Sequence, residues 1–334
     1  MTTIIAHFDG HGVCSATILK RILPKAKVIC EFPKTSPEGL PDILKTVDDD
    51  VIIVDIAVNV KDPEGFVEAL KDFKHKIIYF DEHDWPEIAK KVIPVLPNVT
   101  AYHTNSSYFT SLLPAIHFAY RLSREEFKVI KIGAVCDRDS LIPLAVTSND
   151  IYMAYAVDKM VREGTYTAID RLNELIDKKK LDVLIEEGKN VFRELPVPSR
   201  YVRTKNIIFV RELLLPQWAS KVLEKMTILT DVPFAVGYGY NERFRQYFVT
   251  LIQNAYKQII NTDYLFSLLE LKGTIIKRKN FLQIIGIDTE KEAYHTANRI
   301  YTMVSRLSVR ESTLDEINAK IDTIISMLES ALRK

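Results

Sequence analysis

The stretch Thr3-Ile4-Ile5-Ala6-His7-Phe8-Asp9-Gly10-His11-Gly12-Val13-Cys14-Ser15-Ala16 decides the fold. Its first residues form a short apolar, β-branched run, which reads as a buried strand. The run breaks off on three side chains at alternate positions, His7, Asp9 and His11, each able to bind a metal ion. Gly12 and a series of small residues then open a helix. Strand, polar turn and helix together are the start of a βαβ unit. The same ending recurs downstream: residues 51–54 are apolar up to Asp55, residues 76–80 lead into Asp81-Glu82-His83, and residues 129–136 lead into Asp137. Each of these runs reads as a strand, as does 28–31. Strands alternating with helix-length segments, such as 13–23 and 63–73, predict a parallel sheet wound on both faces. In such a sheet the carboxyl ends of the strands lie side by side where ligands bind. Four acid-bearing strand ends therefore describe one site, and its chemistry is divalent-metal work on phosphate.

Composition sets the frame. A chain of 334 residues with 47% hydrophobic side chains can bury a large core and fits two domains. Lys plus Arg number 45 against 44 for Asp plus Glu, so an anionic partner must be held by a local patch rather than by net charge. No apolar run approaches a membrane span, which excludes a membrane partner, and the first residues lack the basic region of a signal peptide. Cys14, Cys30 and Cys136 are odd in number and lie in apolar contexts, as expected of reduced thiols in a cytoplasmic protein. The richness in Ile and Lys points to a warm-growing archaeal source.

Three regions are expected: 1–150 as the metal and phosphate domain, 151–198 as a helical linker, and 199–334 as a smaller α/β domain. Lys178-Lys179-Lys180 reads as a solvated run, and Pro196-x-Pro198 as the break. Strands are expected at 207–211, 234–238, 247–252 and 281–287, with helices at 218–225 and 263–271. From Ser312, with Glu316 near the third helical position, a capped helix would carry Ile317, Ile321, Ile324 and Leu328 on one stripe.

The quoted residues carry a resemblance. In order, His7-Phe8-Asp9-Gly10-His11-Gly12-Val13-Cys14-Ser15-Ala16, Val54-Asp55, Asp81-Glu82-His83-Asp84-Trp85 and Gly133-Ala134-Val135-Cys136-Asp137-Arg138 resemble the four motifs of the DHH phosphoesterase superfamily. The resemblance spans the first domain, and a degenerate DHHA1-like second domain would cover the rest. It implies two manganese or magnesium ions sharing a bridging carboxylate. His7, Asp9 and Asp55 would hold the first ion, and His11, Asp55, Glu82 and Asp137 the second, with Asp55 as the bridge. His83 resembles the family's phosphate-contacting histidine, Asp81 would orient a neighbour, and Arg138 would reach phosphate. His75, His103, His117 and His295 lack acid neighbours in a motif and read as surface or packing residues.

Two departures bear on activity. His11 stands where the family usually has Asp, and Glu82 where it usually has His. Together they exchange an imidazole for a carboxylate and a carboxylate for an imidazole, so the second ion would keep one His and three acids. In the second domain, active RecJ-like members resemble one another in a Gly-Gly-Gly-His segment. Here Lys272-Gly273-Thr274-Ile275-Ile276-Lys277-Arg278-Lys279-Asn280 has one glycine and no histidine. Lys272, Lys277, Arg278 and Lys279 could instead pair with a nucleic-acid backbone, or simply sit solvated on a hairpin. Arg243 and Arg245, interleaved with Phe244, Tyr247 and Phe248, form a second basic-aromatic cluster suited to single-stranded DNA or RNA, unless the aromatics are core. The resemblance thus implies one of two roles. One is a partly inactivated, RecJ-derived helicase cofactor working with MCM and GINS in DNA replication or repair; the other is a manganese-dependent single-strand exonuclease or oligonucleotide phosphodiesterase.

Overall fold

The computed structural model describes residues 2–139, 142, 145–215, 219–242, 244–254, 274–278 and 281–306. They divide into two compact units between Val191 and Phe192. The first unit is built on a five-stranded, wholly parallel sheet: β1 (Thr2–Ala6), β2 (Lys27–Ile29), β3 (Asp50–Val54), β4 (Ile77–Asp81) and β5 (Val99–His103), in the order β2-β1-β3-β4-β5. β3 and β4 are almost wholly apolar because helices cover both faces. On one face α2 (Leu40–Thr46), α3 (Pro63–Asp72) and α4 (Glu87–Val92) bury Leu40, Leu44, Phe66, Leu70 and Ala89 against Ile5, Ile53, Ile77 and Tyr79. The alternate residues Ile4, Ile52 and Phe80 turn to the opposite face, where α1 (Gly10–Ile22) contacts β1 and α5 (Ser107–His117) contacts β4.

This order makes β1 and β3 the pair at which the sheet changes winding direction. The chain leaves β1 toward β2 on one side and resumes at β3 on the other. The loops after β1 and β3 therefore part, opening the crevice in which parallel α/β sheets bind ligands.

One expected strand is a helix. Residues 129–136 belong to α6 (Arg124–Cys136), although their β-branched run reads as a strand. The helix is started upstream by a capping box: Ser123 Oγ accepts from Glu126 N, and the Glu126 carboxylate accepts from Ser123 N. It is kept by packing, because Gly133 lets α6 lie directly on Cys14 of α1. A Cβ at Gly133 would stand 2.8 Å from the Cys14 Cβ. The expected series of strand ends is corrected accordingly: Asp137 is delivered by a helix C-terminus. β5, a short strand laced with polar residues, was not expected and supplies the sheet's far edge.

α7 (Ser148–Glu163), α8 (Thr165–Asp177) and α9 (Val183–Glu194) follow. α7 packs on α6 and α8 on α1, inside the first unit. Arg21 of α1 meets Asp177 of α8 at 2.9 Å, and Lys131 of α6 meets Asp150 of α7 at 2.8 Å.

The second unit carries a six-stranded mixed sheet. Its strands are β6 (Tyr201–Arg203), β7 (Ile207–Leu214), β8 (Phe234–Asn241), β9 (Gln246–Gln253), β10 (Thr274–Arg278) and β11 (Phe281–Ile287), in the order β10-β11-β9-β8-β7-β6. Only β7 and β8 run parallel. α10 (Ala219–Thr230) packs on one face against Ile208, Val210, Ala235 and Phe248. α11 (Glu290–Ser305) covers the other, with Ala297, Ile300 and Val304 against Phe209, Phe234 and Val236. The helices expected at 263–271 and from Ser312 lie outside the described residues.

Candidate metal centre

His7 follows β1, and its amide donates to Val54 O at 3.2 Å, which keeps the ends of β1 and β3 in register. Asp9 caps α1: one carboxylate oxygen accepts from Gly12 N at 2.9 Å, while the other lies 2.8 Å from His7 Nδ1. The close turn requires glycine at 12, since a Cβ there would stand 2.1 Å from the His7 carbonyl oxygen. Asp55, the first residue past β3, is held at φ 61° in the left-handed region, with its amide donating to Phe80 O. That conformation is unfavourable for a residue other than glycine, and such strain gathers at functional sites.

The Asp55 carboxylate is 2% exposed and faces two ways. Its Oδ2 lies 3.9 Å from His7 Nδ1 and its Oδ1 lies 2.9 Å from His11 Nδ1. His11, in the first turn of α1, is buried. Its Nε2 sits 3.0 Å from Ser107 O and 2.9 Å from Ser111 Oγ. A carbonyl only accepts, so Nε2 carries the proton and Nδ1 of the neutral ring presents its lone pair to the site. That lone pair faces Asp55 Oδ1 and, at 3.2 Å, Glu82 Oε1. Three electron-rich atoms in contact require a cation among them, either a proton or a metal ion.

Three groups have ligand atoms within 4.8 Å of one another: His7, Asp9 and Asp55; His11, Glu82 and Asp137; and Asp55, Glu82 and His83. His7 Nδ1, His11 Nδ1, Asp55 Oδ2 and both Glu82 carboxylate oxygens are buried with no hydrogen-bond partner. Buried imidazole nitrogens and carboxylate oxygens gathered this closely are expected of ligands around a common cation. The donor set of imidazole and carboxylate suits manganese, and carboxylate oxygens suit magnesium.

The electrostatics point the same way. Burial disfavours the His11 imidazolium, yet Asp55 and Glu82 hold its pKa well above the ordinary value. Burial, with Asp9 and Glu82 nearby, pushes Asp55 well up against the opposing pull of His11. Asp137 is raised by burial and by Glu82. The clustered carboxylates thus favour bound positive charge at the centre.

Asp81 and His83 form the flank. Asp81 is fully buried at the end of β4 and accepts from Trp85 Nε1 with one oxygen, while His83 Nδ1 lies 2.8 Å from the other. Trp85 is itself fixed between Tyr79, stacked at 5.2 Å, and His103, stacked at 4.2 Å. Burial opposes charging of His83, but the carboxylates of Asp81, Glu82 and Asp55 raise its pKa to about 10. The surrounding carboxylates thus favour a positive charge on His83.

The structure thus gathers His7, Asp9, His11, Asp55, Asp81, Glu82, His83 and Asp137 at one edge of the first unit. Arg138 follows Asp137 in left-handed backbone at φ 54°. Burial pushes the Cys14 and Cys30 thiols up to about 12, which disfavours their thiolates. Sequence reasoning did not find Ser107 and Ser111, which orient His11 from α5, or Asp139. Asp139 is buried and accepts from Ser106 Oγ and Tyr108 N at the start of α5. None of the three follows an apolar strand, which was the signal used.

The basic residues are less concentrated. Lys277 and Arg278 lie in β10, the edge strand paired antiparallel with β11. Lys272, Lys279 and Arg243 lie outside the described residues. Arg245 is exposed in the β8–β9 turn at φ 52°. Of its aromatic neighbours Phe244 is exposed but Phe248 is 2% exposed and packed under α10, the core placement that was the alternative to a stacking surface. Among the described residues no helix is long and apolar enough to cross a membrane.

Comparison with solved structures bears on the architecture. The pGpG-specific phosphodiesterase PggH from Vibrio cholerae aligns over 96% of this chain and 100% of its own, with a TM-score of 0.52 and 11% identity. The fold is the one seen in that phosphodiesterase. CDC45 from Entamoeba histolytica aligns over 90% of this chain and 95% of its own at a TM-score of 0.49 and 9% identity. RecJ from Thermus thermophilus, in complex with Mn2+, aligns over 92% of this chain and 52% of its own at 0.48 and 13%. At such identities the likeness concerns the fold. No family profile matches the sequence, and no curated protein does. What this chain can do must be read from its own side chains.

Proposed function

We propose that this chain is a metal-dependent phosphodiesterase acting on single-stranded nucleic acid or short oligonucleotides. Asp55 would bridge two divalent ions, manganese or magnesium, with His7 and Asp9 on one side and His11, Glu82 and Asp137 on the other. The observation that carries the reading is the Asp55 carboxylate, strained and buried, with one oxygen toward each histidine. A scaffold has no use for so many converging acids, whose mutual repulsion costs stability. When bound, such ions activate a water and clamp the attacking and leaving oxygens of a phosphodiester.

The chain's own groups would do the rest. His83, charged and oriented by Asp81, would bind a nonbridging phosphate oxygen. Arg138 would add a second cation for phosphate. The N-terminus of α1, opening at Asp9 and Gly10, turns the positive end of its dipole toward the same place. Lys272, Lys277, Arg278, Lys279, Arg243 and Arg245 would hold the strand's backbone at the second unit.

The helicase-cofactor reading, with MCM and GINS as partners, drew on the exchange at His11 and Glu82. That exchange argues less for decay once His11 Nδ1 is seen to face both Asp55 Oδ1 and Glu82 Oε1. The deciding experiment is a manganese and magnesium titration with labelled single-stranded DNA, RNA and dinucleotides. Cleavage that needs the metal and is lost in Asp55→Asn, which tolerates the left-handed backbone, supports the enzyme. Metal-independent cleavage, or none with any substrate, would overturn it.

A further inference from the structure

An exposed aromatic residue stands near the candidate metal-binding cluster. Phe32, in the loop after β2, is 68% exposed. It lies at the carboxyl edge of the sheet, the edge that carries His7 and Asp55. Phe8, next to His7, joins the two: its ring centroid is 4.4 Å from the His7 ring and 4.9 Å from Phe32, which it meets nearly edge to face at 68°. The Phe32 ring is therefore within two ring contacts of a candidate ligand and still has most of its surface open.

The loop presenting it is locked. Thr35 is fully buried, and its hydroxyl accepts from Glu31 N at 3.0 Å and donates to Glu31 O at 3.2 Å, while Thr35 N donates to the same carbonyl at 2.9 Å. Ser36 N closes the turn onto Pro33 O at 3.2 Å. A rigid turn that holds a large apolar ring in water gains nothing for folding, since burying the ring would be favourable. A ligand with an apolar face would offset that loss.

We propose that Phe32, buttressed by Phe8, is a stacking platform for a nucleobase of the substrate, seated next to the phosphate held at the metal cluster. This rests on the phosphodiesterase reading and sharpens it. A base lies one sugar away from its phosphate, a span that matches the short path from His7 through Phe8 to Phe32. Stacking on an aromatic ring tolerates any base, so the platform selects nucleotides over other phosphodiesters without reading sequence.

The test compares a dinucleotide with its abasic counterpart, a sugar-phosphate of the same length without bases, in wild type, Phe32→Ala and Phe32→Trp. Wild type should prefer the dinucleotide in KM. Phe32→Ala should reduce that preference by about tenfold, the size of one lost stack, and Phe32→Trp should restore it. A preference unchanged in Phe32→Ala would overturn the platform. The Phe32→Trp variant gives a second readout independent of turnover: quenching of the introduced indole's fluorescence, taken as the difference from wild type, should follow the dinucleotide and not the abasic compound. If no substrate is cleaved, the phosphodiesterase reading fails while quenching still decides the platform. Equal quenching by both compounds, or by neither, refutes it.

Discussion

The two ends of α6 each carry an acid and treat it in opposite ways. At the N-terminus Glu126 is built in: its carboxylate accepts from Ser123 N, from Arg21 Nε at 2.6 Å and from the Tyr120 hydroxyl at 2.9 Å. Burial opposes its charge, yet these hydrogen bonds hold its pKa below the usual carboxylate value. At the C-terminus burial and the nearby Glu82 push the Asp137 pKa up, and the residue sits at the negative end of the helix dipole. One helix thus has an end shaped for stability and an end that gives stability up. A fold discards favourable electrostatics where a ligand will supply the missing charge.

Substitution at either end tests that contrast. The largest effect should come from Asp137→Asn, which keeps the shape and removes the charge: metal-dependent cleavage should fall by roughly a hundredfold or more, read as kcat/KM on a labelled oligonucleotide. Activity within a few-fold of wild type would remove Asp137 from the centre. Asp81→Asn should cost about ten- to a hundredfold, because it loosens His83 without touching the ligands. Here kcat should fall while metal affinity changes little, and a matching loss of metal would contradict the orienting role.

Glu126→Gln should do the reverse of an active-site change. Activity per folded molecule should persist, while stability at pH 7 drops by about 1–2 kcal/mol in denaturant unfolding. Its pH dependence has a fixed sign. Because the folded pKa is depressed, the Glu126 contribution is present above the carboxylate's unfolded value and fades as pH falls through the lowered one. The gap between wild type and Glu126→Gln should therefore close in acid, and a gap that widens there would refute the assignment. The smallest effect, again at Asp137, is the most telling for the contrast. Without metal, Asp137→Asn should be more stable than wild type by about 0.5–1 kcal/mol, seen as a higher Tm. A lower Tm would mean that Asp137, like Glu126, is structural.

The same helix marks the limit of what could be read in advance. β1, β3 and β4 were legible because each is an apolar run ending on its polar ligands, and the parallel sheet followed from their alternation with helices. Asp137 was found by the same pattern but for the wrong reason. Residues 129–136 look like a strand, and only the capping box at Ser123 and Glu126, placed before the run, signals the helix. The approach of α6 to α1 at Gly133 is tertiary and invisible locally. So are Ser107 and Ser111, which fix the His11 ring from α5, and the open ring of Phe32. The His11–Glu82 exchange, read along the chain, leaves the geometry open; in space one nitrogen of His11 faces both Asp55 and Glu82.

The central claim is that one buried carboxylate joins two metal sites. Equilibrium dialysis of the purified full chain against manganese, with metal counted per chain, tests it directly. Wild type should bind two ions. Asp137→Asn should lose one with the His7–Asp9 side intact, and Asp55→Asn should lose both or bind them far more weakly. A chain that binds no manganese, or whose stoichiometry is the same in all three proteins, would contradict the account.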